Sequence, residues 1–325
     1  EEKTLVQMGV YLQENDRALR QEAWELVAKK RLEVADACDE QFEKLMALRV
    51  QIAANAGFKD YREFKHISKG RFDYQPDDCF KFHEAVETLV MPLYNQLLAE
   101  RRESMQLDAL RPWDTGVDPL GRAPLKPFTE VDDMVARTKN IFNLVDDELA
   151  SGFQIMRDQN LLDLANRKGK APGGYQSSLP EARLPFIFMN AVGMQRDVET
   201  LLHEAGHAFH TLATQGEDIH HYQHAPLEFC EVASMSMELI GNEHLEEFYG
   251  EEEATRARRE HLEGIITIFP WIATVDAFQH WIYTHPDHTR NERDAQWMSL
   301  RAEFLDHWHL LQRLGALEKL PAVQP

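Results

Sequence analysis

Leu201-Leu202-His203-Glu204-Ala205-Gly206-His207-Ala208-Phe209-His210 is the stretch on which the reading of this chain turns. Leu201, Leu202, Ala205, Phe209 and Leu212 recur at helical spacing and give the segment one face to bury. Asp197 and Glu199 precede it, where negative charge suits a helix N-terminus, and Gly216 follows it. On such a helix His203 and His207 lie one turn apart on one face, so both imidazoles reach a single cation at about 2.0–2.1 Å. Glu204 points about 100° away around the axis. It is off the ligand line and placed to take a proton from a metal-bound water. The same five residues also suit a histidine-rich surface helix, so the metal reading needs a third ligand from elsewhere.

His210 is one turn too far along a straight helix to close the same tetrahedron, and position 213 is Ala rather than a further His. The next helical stretch supplies carboxylates: Glu228, Glu231 and Glu238 recur at helical spacing in Leu227-Glu228-Phe229-Cys230-Glu231-Val232-Ala233-Ser234-Met235-Ser236-Met237-Glu238. Such a stripe is often a solvated face. Here the residues between are apolar nearly all round, which predicts a buried helix whose carboxylates need a partner, and a dication is one. Glu231 is taken as the third ligand. Glu238, two turns on, is the expected acceptor for the far nitrogen of a ligand histidine.

Outward from this centre, helical periodicity dominates. Asn15-Asp16 reads as a cap before Leu19, Ala23, Leu26 and Val27. Leu45, Leu48 and Ile52 form a second run that Gly57 stops. Pro76-Asp77 opens a third, with Phe82, Val86, Leu89 and Leu93 on one stripe and a bend at Pro92. Thr129 is the expected cap of a further helix. Six Pro and Gly residues between Pro112 and Pro127 mark a connection. Leu184-Pro185-Phe186-Ile187-Phe188-Met189 is the best strand, directly ahead of the histidine helix. The expected fold class is mainly α: a multi-helix zincin-like metallopeptidase with one small β patch before the zinc-binding helix. The expected division is 1–110 helical, 111–128 a Pro/Gly-rich connection and 129–325 the zinc-binding catalytic region.

Composition narrows the partners. The 325 residues carry 35 Lys and Arg against 55 Asp and Glu, a net charge of −20. That balance excludes a nucleic-acid surface and argues against anionic lipid. No apolar run is long enough to span a membrane. Three distant cysteines, Cys38, Cys79 and Cys230, imply no disulfide framework and fit a reducing, cytoplasmic setting. Glu1 opens the chain without an initiator Met or a leader, which reads as the start of a processed chain or a fragment. Nothing in the sequence specifies an oligomeric state.

His203-Glu204-Ala205-Gly206-His207-Ala208-Phe209-His210 together with Glu228-Phe229-Cys230-Glu231-Val232-Ala233-Ser234-Met235 resembles the thimet-oligopeptidase superfamily of zinc peptidases, and within it the oligoendopeptidase F branch. Asp16–Trp24, Gly173-Gly174-Tyr175, Pro185–Asn190 and Val275–Tyr283 extend the likeness over most of the chain. The resemblance implies a zinc-dependent endopeptidase that hydrolyses short peptides in a channel between helical halves. One Zn²⁺ is held by His203, His207 and Glu231, and Glu204 activates the zinc-bound water. Two departures stand out. Family members carry a further helical region ahead of where this chain starts, and a C-terminal segment with a His and several Tyr that polarises the scissile carbonyl. Here Trp308–Leu317 carries His309 but no Tyr follows Tyr283. His280 or Tyr283 stands in for that segment, or merely packs within its helix. An extended peptide is expected along the edge of the Phe186–Asn190 strand, with Gly173, Gly174 and Tyr175 close to it; the glycines equally suit a plain hairpin turn. The alternative function is a zinc-binding, catalytically weak or inactive peptide-binding protein.

Overall fold

A computed structural model describes residues 2–304; Glu1 and the Trp308–Leu317 segment lie outside the described residues. The protein is mainly helical with one small sheet. In chain order the helices are α1 (Leu5–Tyr11), α2 (Arg17–Leu32), α3 (Ala35–Asn55), α4 (Tyr61–Ser68), α5 (Pro76–Ala85), α6 (Met91–Ser104), α7 (Val131–Val145), α8 (Asp147–Asp158), α9 (Gln195–Ala213), α10 (Cys230–Asn242), α11 (Glu251–Thr284) and α12 (Arg290–Phe304). Three strands, β1 (Leu162–Ala165), β2 (Tyr175–Leu179) and β3 (Leu184–Ala191), fall between α8 and α9. No described helix is long and apolar enough to cross a membrane. The three cysteines are free.

Two compact units interleave along the chain. The first takes the chain up to Leu19 and Ala123–His261; the second takes Arg20–Arg122 and the chain from Leu262 on. The Pro/Gly-rich stretch is therefore shared between them. It is also anchored where it was expected only to connect. In the second unit the buried Asp114 carboxylate lies 3.0 Å from Arg20 Nη2 and accepts the Arg111 N–H at 2.9 Å. Arg20 Nε also donates to the Trp113 carbonyl at 2.8 Å.

The first unit packs Met134, Ile141, Phe142, Phe153 and Met156 of α7 and α8 against Ile187 and Met189 of β3 and Leu201 and Leu202 of α9. The sheet order is β1-β3-β2. β1 runs parallel to β3 with Leu162 opposite Ile187, and β2 runs antiparallel with Tyr175 opposite Phe188. β3 is thus paired on both sides, so the expectation of a peptide along its free edge is corrected: the edges belong to β1 and β2. α7 starts at Val131 behind Glu130, with no side-chain cap from Thr129.

The loop between β1 and β2 is fixed by a buried cation. Lys170 Nζ donates to the carbonyls of Asp163 (2.9 Å), Ala165 (3.0 Å) and Met189 (2.5 Å) and to Asp163 Oδ1 (3.0 Å). It also sits 4.4 Å from the Phe188 ring centroid. Asn190 Nδ2 holds the following turn through the Ala171 and Gly173 carbonyls, both at 2.9 Å.

In the second unit Val86, Met91, Tyr94, Ala273, Leu300 and Phe304 form the core. Asp16 caps α2 by accepting from the Ala18 and Leu19 N–H groups, and Gly57, at φ +80°, ends α3. The expected stripes are only partly buried: Ala23 and Val86 are enclosed, while Leu26, Leu45, Leu48, Ile52, Phe82, Leu89 and Leu93 are exposed, Leu89 to 69%. The helical run is continuous from Pro76 to Ser104, with a π turn at Val86–Val90 inside it just ahead of Pro92. Pro92 lies in the first turn of α6, because proline has no N–H to continue the ladder.

Replacing Lys170 by Met keeps the stem but takes the ammonium away from the three carbonyls, while Arg167 still holds the Asp163 carboxylate. We expect a loss of about 1.5–3 kcal/mol, read as a lower urea midpoint by circular dichroism; an unchanged midpoint would show that the lysine holds nothing.

Candidate active site

The first turn of α9 carries Asp197, whose Oδ2 accepts the N–H groups of Val192, Gly193 and Met194 at 2.8–2.9 Å. This carboxylate joins the end of β3 to α9 and satisfies three backbone donors at the helix entrance. α10 then crosses α9 at very short range. A Cβ on Gly206 would stand 2.6 Å from Ser234 Cα and 2.7 Å from the Ala233 carbonyl oxygen. Likewise a Cβ on Gly241 would meet Leu202 at 2.9 Å. Glycine at 206 is what lets the two backbones touch, and that contact brings Glu231 over the histidines.

The three side chains form one group. His203 Nε2 lies 3.1 Å and His207 Nε2 3.5 Å from the same atom, Glu231 Oε2. The two imidazoles are nearly perpendicular, with centroids 4.9 Å apart. Ser234 Oγ donates to Glu231 Oε2 at 2.8 Å and holds the carboxylate in place. Two nitrogens and one oxygen converging in this way, with no lysine or arginine among them, is a donor set that fits Zn²⁺.

Behind the group runs a hydrogen-bonded chain. His203 Nδ1 is 2.6 Å from Glu238 Oε1, and His261 Nε2 is 2.7 Å from Glu238 Oε2. Asn242 Nδ2 donates to His261 Nδ1 at 2.6 Å, which leaves the His261 proton on Nε2 for Glu238. Glu238 therefore accepts two imidazole N–H bonds, and His203 presents a bare Nε2 toward Glu231. Burial alone would raise the Glu238 pKa, but the hydrogen bonds from His203 and His261 outweigh it and bring it down to about 2. Burial also opposes charge on His203, yet the Glu238 bond and the surrounding carboxylates leave its pKa raised. His207 lacks such a partner, and burial lowers it.

Glu204 is buried, and burial raises its pKa, partly offset by His203 and by the Gln176 N–H of β2. Glu228 stays exposed in a 3₁₀ turn ahead of α10. Among the described residues His210 is outside the ligand group. His220 and His224 stack edge to face in the loop after α9. α10 is not buried all round as expected: Ser234, Met237 and Gly241 pack inward, while Phe229, Val232, Met235, Leu239 and Ile240 are exposed.

Gly173, at φ +99°, and Gly174 lead into β2, and a Cβ on Gly174 would meet Thr200 of α9 at 3.0 Å. Tyr175 stacks on Phe188 at 4.9 Å and is half exposed. His280 and Tyr283 belong to the second unit. His280 Nε2 is 3.4 Å from Asp276 Oδ2, and Arg49 Nη1 donates to the Tyr283 hydroxyl at 2.5 Å. Sequence reasoning missed His261 and Asn242, because no local spacing ties either to the histidine helix.

The peptidase family M3 model matches residues 10–318, and the chain belongs to that family of metallopeptidases. Among its relatives, the chromosomal oligoendopeptidase F of Lactococcus lactis subsp. cremoris is 23% identical over 222 residues, 66% of this chain. An X-ray structure described as an oligoendopeptidase F superposes with a TM-score of 0.90 at 32% identity over 99% of this chain. An oligoendopeptidase F structure from Bacillus anthracis str. Ames gives 0.90 at 29% identity over 96%. The chain spans 34% of the Lactococcus protein's length and 59% and 57% of the two solved chains.

Gly206→Ala sets two effects against each other. Alanine gains about 0.8–1 kcal/mol of helix propensity, while overpacking costs about 1–3 kcal/mol. The obstructing atoms are backbone, which cannot swing aside, so we expect a lower melting temperature. An equal or higher one would contradict the close crossing of α9 and α10.

Proposed function

We propose that this chain is a zinc-dependent endopeptidase acting on short peptides, with His203, His207 and Glu231 holding one Zn²⁺ and Glu204 as general base. The observation that carries this reading is the convergence of two imidazole Nε2 atoms on one carboxylate oxygen, backed by the Glu238–His261–Asn242 chain. Membership of family M3 supports metal dependence and peptide substrates.

When bound, the ion polarises the scissile carbonyl and makes water acidic enough to attack near neutral pH. Glu204 takes the proton of that water and passes it to the leaving amine. Its burial suits this exchange, because a carboxylate with a raised pKa both holds and returns a proton. Glu238 fixes the tautomer and ring plane of His203. The Gln176 N–H orients Glu204, which ties the base to β2. As β2 is an edge strand, an extended peptide pairs there, close to Gly173, Gly174 and Tyr175. Neither His280 nor Tyr283 is assigned a step; the Tyr283 hydroxyl already accepts from Arg49.

The second reading, a zinc-binding protein that holds peptides without cleaving them, draws on the Tyr283 hydroxyl, which is engaged by Arg49. Cleavage of a quenched oligopeptide, abolished by a chelator and restored by Zn²⁺, selects the first reading; binding of the same peptide without cleavage selects the second.

Glu204→Gln is expected to keep its zinc and lose about 10²–10⁴-fold in kcat/KM. Full activity in the zinc-loaded variant would remove Glu204 from the mechanism. Glu238→Gln is expected to weaken zinc binding about 10–100-fold, measured by competition with a chromogenic chelator, and unchanged affinity would show that His203 needs no such support.

A further inference from the structure

A second group of metal-type donors lies wholly within the second unit, and the proposed peptidase chemistry makes no use of it. Cys79 and His83 are four residues apart on α5, and Asp276 and His280 are four residues apart on α11. Each pair therefore presents two donors on one helix face. His83 Nε2 lies 2.8 Å and His280 Nε2 3.4 Å from the same atom, Asp276 Oδ2. The donor atoms of Cys79, Asp276 and His280 are all within 4.8 Å of one another.

The arrangement repeats that of the first unit, where two imidazole Nε2 atoms meet one carboxylate oxygen at 3.1 and 3.5 Å. Hydrogen bonding accounts for only part of it. His83 makes a short bond to Asp276, but His280 at 3.4 Å is too far for a strong one. The other ring nitrogen of His280, Nδ1, is buried with no hydrogen-bond partner among the described residues. Its ring is nonetheless largely enclosed, 11% exposed, with the Phe80 ring 4.9 Å away. An imidazole held in place without a full set of hydrogen bonds, beside a thiol and a carboxylate, has the surroundings of a ligand.

We propose that Cys79, His83, Asp276 and His280 form a second, structural site for a tetrahedral divalent cation of the zinc class, joining α5 to α11. One sulfur, two nitrogens and one oxygen is a complete protein ligand set, which leaves no position open for water or substrate. Ligand atoms on a tetrahedral zinc lie about 3.5 Å apart; Cys79, Asp276 and His280 already lie within 4.8 Å of one another, and His83, now bonded to Asp276 alone, swings in as the fourth ligand. On binding, the Cys79 thiol releases its proton to solvent and its sulfur bonds the ion. His83 gives up its bond to Asp276, its Nε2 proton passing to solvent while the ring keeps a proton on Nδ1, and it enters through the bare Nε2. The joined residues are almost two hundred positions apart in the sequence, so the bond clamps distant parts of one unit.

Cobalt(II) provides the test, because a thiolate ligand gives a near-ultraviolet charge-transfer band that a site of two histidines and a glutamate does not. The full chain titrated with cobalt is expected to take two equivalents and show the band. The band is expected to persist in His203→Ala and in Cys230→Ser, and to vanish in Cys79→Ser. His280→Ala is expected to weaken it while circular dichroism stays that of the parent. A single equivalent with no band overturns the proposal, and so does a band that survives Cys79→Ser or depends on Cys230. Loss of cobalt binding at the His203 site alone would sink the peptidase reading and leave this one standing.

Discussion

The site depends on two helix backbones being pressed together. α9 and α10 approach so closely at Gly206 that no Cβ fits between that residue and Ser234. This contact sets the height of Glu231 over His203 and His207 and the reach of Glu238 to the far side of His203. A methyl group at 206 would shift both carboxylates at once. Glycine usually weakens a helix interior by about 1 kcal/mol; here packing against the buried Ser234 and Met237 of α10 makes up for that loss.

Charge is arranged with equal economy. Glu238 accepts from two imidazoles and Asp197 from three backbone N–H groups, so each buried carboxylate has the partners that burial demands. The sheet contributes position more than core. Its central strand runs into Asp197 and the start of α9, and its edge strand supplies the N–H that faces Glu204. The small β patch therefore sets where α9 begins and brings a strand edge beside its base.

Much of this was legible in the sequence, for physical reasons. An i, i+4 histidine pair on an apolar-faced helix fixes geometry locally, so the facing of His203 and His207 follows from residues within one turn. The strand at Leu184–Met189 and the stop at Gly57 are local too. What failed was everything that depends on which face another segment covers. Leu89 and Leu93 have the right period for a core stripe and are exposed, since periodicity gives a helix its face but not its neighbour. α10 reads as buried all round, yet it needs only its small residues against α9. The free edge of the sheet was misjudged because β1, which covers the far side of β3, is only four residues long and its apolar run does not distinguish a short strand from the end of a helix. His261 and Asn242 act through space from separate helices and leave no pattern in the chain.

Zinc-edge anomalous diffraction from crystals of the full chain grown with Zn²⁺ tests the central claim most directly. The account expects a peak about 2 Å from His203 Nε2, His207 Nε2 and the Glu231 carboxylate, with Glu238 still bonded to His203 Nδ1. Zinc bound elsewhere, with no peak among these three side chains, would contradict it.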